Sequence, residues 1–518
     1  MAVDRLWALP DDLLRRVLYF VPAKDGACTT VLSRRWRSLW RTSGAVNLES
    51  RTGDRGRYKS DVNATSKAFF HGAEAALAAA HAGGPVRRLT LHVESRSSNH
   101  IRWFLPRRRI RAMLSHPATQ HVEELRTGAT LRFEPHESWM YEYSEKSELY
   151  KLSFGALPSE ALRVLHIINC RHLKPPRSTV TFPRLAHLLC MDAAPQLPTL
   201  HLESFSFPQT EEGTNEGSGA VGLSCHQLLC PTVTTLVLED CKFPKMEGGL
   251  LELQVPKLQY FVCKGLLHHC HRLSFKSASM EQVDLHLSVE QNHLKDQICM
   301  PFWQFIQTFN TTKVLKLKLD FTVDLLAVVD REGQDELLRN NLFFNLDKLE
   351  LEGNYYEPKS ETAALALAHF LQCCPLLRDL GLKLKQLSPT FSYISRTATD
   401  QLDFGNGGCD DYENCDVSDI PCLSKHSFSC LQSHLRRLSL KFWMEHPNSF
   451  GVRLSKFFAE KAMVLKEMSI DEGSQKMCHH VNGKIGKWAP NSSKRKLLQT
   501  AIESGDSCCI QHRKHRRR

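Results

Sequence analysis

LPDDLLRRVLYFVPAKDGACTTVLSRRWRSLW, residues 9–40, decides how the chain begins. Leu9-Pro10 opens a helix, because proline suits a first-turn position and Asp11 and Asp12 complement the positive helix end. Leu14, Val17, Leu18 and Val21 then fall at i, i+3, i+4 and i+7 on one face. Pro22 ends that helix. A second helix is expected from about Lys24, with Leu32, Trp36, Leu39 and Trp40 as its apolar stripe and Arg34, Arg35, Arg37 and Arg41 between them. About forty residues is marginal for an independent core. Two apolar faces that carry Trp and are flanked by Arg are what a helix-packing interface needs. The alternative is that both stripes pack against the rest of the chain.

Outward from this segment, residues 66–82 read as an alanine-rich helix closed by Gly83-Gly84. Then short segments of the form apolar-x-x-apolar-x-apolar recur. They are Val86-Leu89-Leu91, Leu162-Leu165-Ile167, Leu185-Leu188-Cys190, Val233-Leu236-Leu238, Leu258-Phe261-Cys263 and Met280-Val283-Leu285. Thr312-Leu315-Leu317, Leu346-Leu349-Leu351, Leu377-Leu380-Leu382, Leu435-Leu438-Leu440 and Leu465-Met468-Ile470 continue the series. The last two apolar positions of each alternate as in a strand with one buried face. From Leu165 to Leu188 is 23 residues, from Leu236 to Phe261 is 25 and from Phe261 to Val283 is 22. These intervals suit a leucine-rich-repeat solenoid, in which each unit buries its apolar side only by stacking on its neighbours. Cys170, Cys241 and Asn354 stand where such a repeat places a side chain in the turn after the strand. The later intervals of 32, 34 and 31 also suit an open α/β sheet of strand–helix–strand units.

The N-terminal residues carry a resemblance. Leu9-Pro10, Asp12-Leu13-Leu14, Val17-Leu18, Phe20-Val21-Pro22, and Val31-Leu32-Ser33-Arg34-Arg35-Trp36-Arg37 with Leu39-Trp40 resemble the F-box of the large plant F-box/leucine-rich-repeat (FBD-like) families. Gly26-Ala27-Cys28 departs mildly, being small where a bulkier aliphatic would pack better. The resemblance implies a small helical unit that docks on the SKP-type adaptor of a cullin-based ubiquitin ligase. It implies that Leu9, Pro10, Leu13, Leu14, Val17, Leu18, Val21, Pro22, Val31, Leu32, Trp36, Leu39 and Trp40 bind the adaptor. Leu14, Val17, Leu18 and Trp36 are expected at the interface centre.

The expected fold class is α+β with repeats: a small helical F-box at 1–48, a linker helix at 49–85, and an α/β leucine-rich-repeat horseshoe at 86–475. Residues 203–222 and 387–430 read as flexible inserts. Seven acidic residues and no Lys or Arg lie between Asp400 and Asp419. Residues 476–518 read as a basic, disordered tail.

The net charge of +11 on 518 residues is concentrated at the ends. Residues 1–50 hold eight Lys/Arg against five Asp/Glu, residues 481–518 hold ten against two, and the remainder sums to about zero. A neutral body argues against nucleic-acid binding by the repeats. The tail clusters, Lys494-Arg495-Lys496 and Arg513-Lys514-His515-Arg516-Arg517-Arg518, suit either an import signal or a solvated end.

No run reaches the roughly 18 apolar residues of a membrane helix. Asp4, Asp11 and Asp12 stand where a signal peptide would be basic and then apolar. The chain is therefore expected in the nucleus or cytoplasm, with its 18 cysteines reduced. His268, His269, Cys270 and His271 form the densest ligand cluster, followed by Cys478, His479 and His480, but no Cys-x-x-Cys accompanies them and no metal or cofactor is expected. Gly217-Ser218-Gly219-Ala220-Val221-Gly222 fits the dinucleotide fingerprint by letter. The acidic loop chemistry before it supplies no strand to feed the turn. No residue stands out as catalytic.

The expected function is substrate recognition for an SCF-type ligase, the F-box holding the adaptor and the repeats an unknown target. The alternative is a repeat scaffold without any link to ubiquitin.

Overall fold

The computed structural model describes residues 9–52, 59–132, 150–153, 161–174, 188–190, 197–205, 226–241, 243, 251–276, 280–290, 296–330, 332–335, 343–387, 416–442, 448–472, 481, 484, 485, 487 and 488. The chain divides into two compact units, residues 1–262 with 272–279, and residues 263–271 with 280–518.

The first unit begins with three short helices, α1 (Asp11–Leu18), α2 (Ala23–Cys28) and α3 (Arg34–Arg41). A parallel sheet follows, made by β1 (Ala45–Thr52), β2 (Arg88–Ser95), β3 (Glu124–Leu131), β4 (Val164–Ile168), β5 (Thr199–Glu203), β6 (Thr235–Glu239) and the start of β7 (Tyr260–Leu266). Within this sheet the strands lie side by side in the order in which the chain reaches them. Parallel strands need a crossover, so each strand is followed by a return segment. After β1 the return is the long helix α4 (Lys59–His81); after β2 it is the helices α5 (Ser98–Phe104) and α6 (Arg107–Leu114).

One row of buried side chains runs through this sheet in exact register. Val46 pairs with Leu89, Leu89 with Leu125, Leu125 with Leu165, Leu165 with Leu200 and Leu200 with Leu236. All are buried. Two residues on, Leu48, Leu91, Thr127, Ile167, Leu202 and Leu238 form a second row. Thr127 fits because its hydroxyl shares a 2.9 Å hydrogen bond with the buried Tyr150 hydroxyl. The alternate residues lie on the opposite face, where polar side chains such as Thr90, Arg126, His166 and His201 stand among Val164, Ile168 and Val237.

The second unit repeats the pattern. Its strands are β8 (Gln282–Ser288), β9 (Val314–Thr322), β10 (Lys348–Tyr355), β11 (Asp379–Gln386), β12 (Arg437–Phe442) and β13 (Glu467–Glu472). Val283, Leu315, Leu349, Leu380, Leu438 and Met468 are in register and buried. Its returns include the helices α7 (Asp296–Gln307), α8 (Ser360–Cys373) and α9 (Phe450–Lys461). Trp303 anchors this layer: its ring packs on Phe370 and its indole N–H donates to Leu326 O at 3.0 Å.

Ten of the eleven apolar triplets end on strands of these parallel sheets. The exception is Leu185-Leu188-Cys190. Leu188–Cys190 is a strand, but it belongs to a separate four-stranded parallel sheet with His226–Leu229, Leu251–Gln254 and Leu273–Lys276. The true neighbour of Leu165 is Leu200, 35 residues on rather than 23. The return segments here are strands in their own right, so they mimic the pattern of the strands they connect.

Three further expectations change. The sheet begins at Ala45, inside the segment assigned to the helical unit, because Ala45-Val46-Asn47-Leu48 pairs with β2. The helix assigned to a linker is packed, burying Val62, Phe70, Ala73, Leu77 and Ala80. Asn354 lies within β10 rather than in a turn. Cys241 does sit after a strand, its thiol 3.4 Å from Leu202 O. It follows Asp240, one of three non-glycine residues with positive φ among the described residues. Asn169, Ser204 and Asp240 each come directly after a strand, a recurrent left-handed turn closing β4, β5 and β6.

The inserts at 203–222 and 387–430 lie mostly outside the described residues. The exceptions are 203–205 and 387, which end or follow strands, and 416–430, which is packed: Val417, Ile420, Leu423, Phe428 and Cys430 are buried. Lys456 Nζ donates to Val417 O at 2.7 Å, and Arg453 donates to Asp419 O at 3.0 Å. The acidic composition hid these apolar anchors. Similarly Val481 and Ile485, one helical turn apart, are buried, so the packed body extends past residue 476. The basic tail clusters lie outside the described residues. Among the described residues no helix is long and apolar enough to cross a membrane.

Candidate functional site

The N-terminal helices form the first candidate surface. Pro10 precedes α1 and its carbonyl accepts the amides of Leu13 and Leu14 at 3.1 Å each. The helix ends at Leu18, and Pro22 caps the start of α2 rather than ending α1. The expected second helix is two. A single turn of 3-10 helix follows α2, and the chain then breaks at Leu32-Ser33. Ser33 adopts an extended conformation and its side chain accepts the Trp36 amide, starting α3.

These breaks sort the apolar side chains into two sets. Leu14, Leu18, Trp36, Leu39 and Trp40 are buried within the chain. Leu14, Leu18 and Trp36, expected at an interface centre, are therefore part of the unit's own core. Leu9, Val21 and Pro22 are half-buried and Pro10 is exposed. Leu13, Val17, Val31 and Leu32 are exposed, with Phe20 beside them, from 48% for Leu13 to 84% for Val31. Leu13 and Val17 are four residues apart, hence on one helix face. Phe20, part of the F-box pattern in the sequence, was left out of the residues expected to bind the adaptor.

The small residues of α2 have a physical reason. A Cβ on Gly26 would come within 2.6 Å of the Trp40 ring nitrogen. The position that looked too small is the seat of a tryptophan. Arg35 pins the entry to α1: it donates to Asp11 Oδ1 at 2.7 Å and to Leu9 O at 2.5 Å. Asn47, on β1, donates through one amide to both Tyr19 O at 2.9 Å and Val21 O at 3.0 Å. Arg88, on β2, lies over the Phe20 ring at 5.0 Å and the Tyr19 ring at 5.3 Å. The loop after α1 is thus tied to the sheet, while Leu13, Val17, Val31 and Leu32 are left facing solvent.

This arrangement matches a known domain. Residues 6–44 are an F-box domain. The relatives are plant proteins. The chain is 51% identical over 51 residues to a putative F-box/FBD/LRR-repeat protein of Arabidopsis thaliana, covering 10% of this chain and 11% of that one. It is 59% identical over 46 residues to a putative FBD-associated F-box protein of the same plant, 9% of this chain and 25% of the relative. A putative F-box protein of that plant aligns over 158 residues at 31% identity, 29% of this chain and 32% of its own. The chain thus aligns with a third or less of each of these relatives. Its F-box and these likenesses support a plant F-box/FBD-like family.

The polar face of the sheet beyond the F-box carries cross-strand charge pairs. In the second unit these include Lys383 with Glu352 at 2.9 Å, Arg437 with Asp379 at 2.7 Å and His286 with Asp320 at 2.8 Å. In the first unit burial, and then the neighbouring His166, push His201 down to about 4. The histidine cluster singled out in the sequence does not converge. The His268 and His269 rings are tilted against each other, with His268 Nε2 3.8 Å from Glu290, while Cys270 turns to Cys263 at 3.4 Å. Cys478, His479 and His480 lie outside the described residues.

Proposed function

We propose that this protein is the substrate-recognition subunit of an SCF-type, cullin-based ubiquitin ligase. The F-box binds an SKP-type adaptor and, through it, a cullin. The remaining chain is a degenerate leucine-rich-repeat solenoid, and its polar face holds a target protein. The protein is non-catalytic; it acts by proximity, raising the effective concentration of target lysines near a conjugating enzyme carried by other subunits.

One observation carries this reading: an F-box whose exposed residues include Leu13, Val17, Phe20, Val31 and Leu32. Five large apolar side chains within twenty residues at solvent are unusual for a packed domain and suit a partner interface. The register of buried leucines supports the repeat reading, since each strand meets apolar neighbours in register on the adjacent strands. Its polar face offers charged side chains of both signs, which favours a protein over a polyanion.

The test is co-purification of the full chain with a plant SKP-type adaptor, beside a Leu13→Asp, Leu32→Asp variant. Adaptor capture by the parent and loss by the variant, with an unchanged melting transition, is the expected result. Failure of the parent to hold any such adaptor would move the plain scaffold reading ahead.

A further inference from the structure

We propose that His166 and His201, together with the carboxylate of Glu203, form a binding site for a divalent transition-metal ion of the zinc class, built across β4 and β5 on the polar face of the sheet. The inference is independent of the ligase reading.

The backbone brings these residues together. The parallel register pairs His166 directly with His201, so both rings leave the same face of adjacent strands. Their centroids are 3.9 Å apart with the planes 6° from parallel. Glu203 is the last residue of β5 and is held there by the left-handed turn at Ser204, whose amide donates to Glu239 O at 2.7 Å. One ligand atom from each of His166, His201 and Glu203 falls within 4.8 Å of the other two. No other such group of three occurs among the described residues.

The chemistry of the donors suits the ion. Imidazole nitrogen and carboxylate oxygen are zinc ligands, at about 2.0–2.1 Å and 2.0–2.2 Å respectively. His166 Nε2 and His201 Nε2 are both shut off from solvent, and neither makes a hydrogen bond. Carboxylates stand near them without closing one: Glu203 Oε2 is 3.7 Å from His166 Nε2, and Glu239 Oε1 is 3.3 Å from His201 Nε2. Glu239 is in register with Glu203 on the next strand. Two carboxylates therefore balance a doubly charged ion. Arg126 on β3, a cation that acts on His201, is in register with His166 and is itself paired with Glu124 at 2.5 Å.

An ion held by a ring lies in the plane of that ring, and two stacked parallel rings share no plane. Binding must therefore open the stack into a V by side-chain rotation, with the strands unmoved. Three protein ligands leave a coordination position open.

The full chain, stripped with EDTA and dialysed, is titrated with zinc chloride by calorimetry. A His166→Asn, His201→Asn double variant and a Glu203→Gln variant run beside it, each checked by circular dichroism. The parent is expected to bind one zinc equivalent more than the double variant. Glu203→Gln should keep that equivalent but hold it roughly ten-fold or more weakly. Cobalt(II) should give the parent a visible absorption band that the double variant lacks. Equal zinc uptake and affinity in the parent and the double variant would assign binding to other side chains and overturn the proposal. If the double variant folds poorly, Glu203→Gln decides alone: an unchanged zinc isotherm and cobalt spectrum overturn it equally.

Discussion

Leu13 and Leu14 are neighbours in sequence with opposite expected behaviour. Leu14 is 0% exposed and Leu13 is 48% exposed. Truncating Leu14 to Ala leaves a cavity inside the F-box, and buried Leu→Ala changes cost about 2–5 kcal/mol. The α1–α3 core is not isolated, because Asn47 and Arg88 tie it to β1 and β2. The loss should therefore register in the melting of the first unit. At about 3 kcal/mol, and with each kcal/mol worth roughly 2–4 °C in a domain of this size, the shift is roughly 6 °C or more. Leu13→Ala removes contacts mainly with solvent and should change stability by no more than about 0.5 kcal/mol. Its effect should appear in adaptor binding. A central apolar anchor costs about 2 kcal/mol on truncation, roughly thirty-fold in Kd. The assay pairs a calorimetric melt with an adaptor titration for each variant. If Leu13→Ala melted as low as Leu14→Ala, the division into core and contact face would be wrong. If Leu14→Ala left the melt unchanged, the burial argument itself would fail.

Gly26→Ala should destabilise the F-box by about 1–3 kcal/mol through overpacking against Trp40; a melt equal to the parent's would show that the indole yields easily. Replacing residues 388–415 with a short Gly/Ser bridge should leave the melt nearly unchanged, since their composition offers little to bury. Extending that deletion to residue 424 removes the buried Val417, Ile420 and Leu423 and should lower it clearly. The folded pKa of His201, about 4, lies below the usual 6.5, so the unfolded chain takes up the proton first. Among His166, Glu203, Glu239 and Arg126, which face or act on it, stability should fall by about 1–3 kcal/mol as pH drops from 6.5 to 4. In EDTA, His201→Gln should flatten that slope, and a slope identical to the parent's would refute the assignment. A chain ending at residue 488 keeps Val481 and Ile485 and removes the distal basic clusters. Imaging should show it less nuclear than the parent, and the same distribution would leave the tail without an import role.

The boundary between what was legible in the residues and what was not follows the range of the interactions. Helix starts at Pro10 and strands at Leu89, Leu236, Leu349 and Leu438 were readable because spacing and local chemistry alone produce them. The F-box was readable because its side chains recur in a fixed order over forty residues. Which face of α1 meets solvent was not readable, since Leu13 and Leu14 differ only in which of them faces α3 and the rest of the unit. Nor was the choice between Leu188 and Leu200 as the partner of Leu165. Both satisfy the same pattern, and only pairing across the sheet separates them. Gly26 looked like a defect until Trp40, fourteen residues away, was seen to occupy its space. His166 and His201 are 35 residues apart, and nothing local marks either one. They meet because every strand between β1 and β6 keeps the same register, a property of the assembled sheet that no single segment contains.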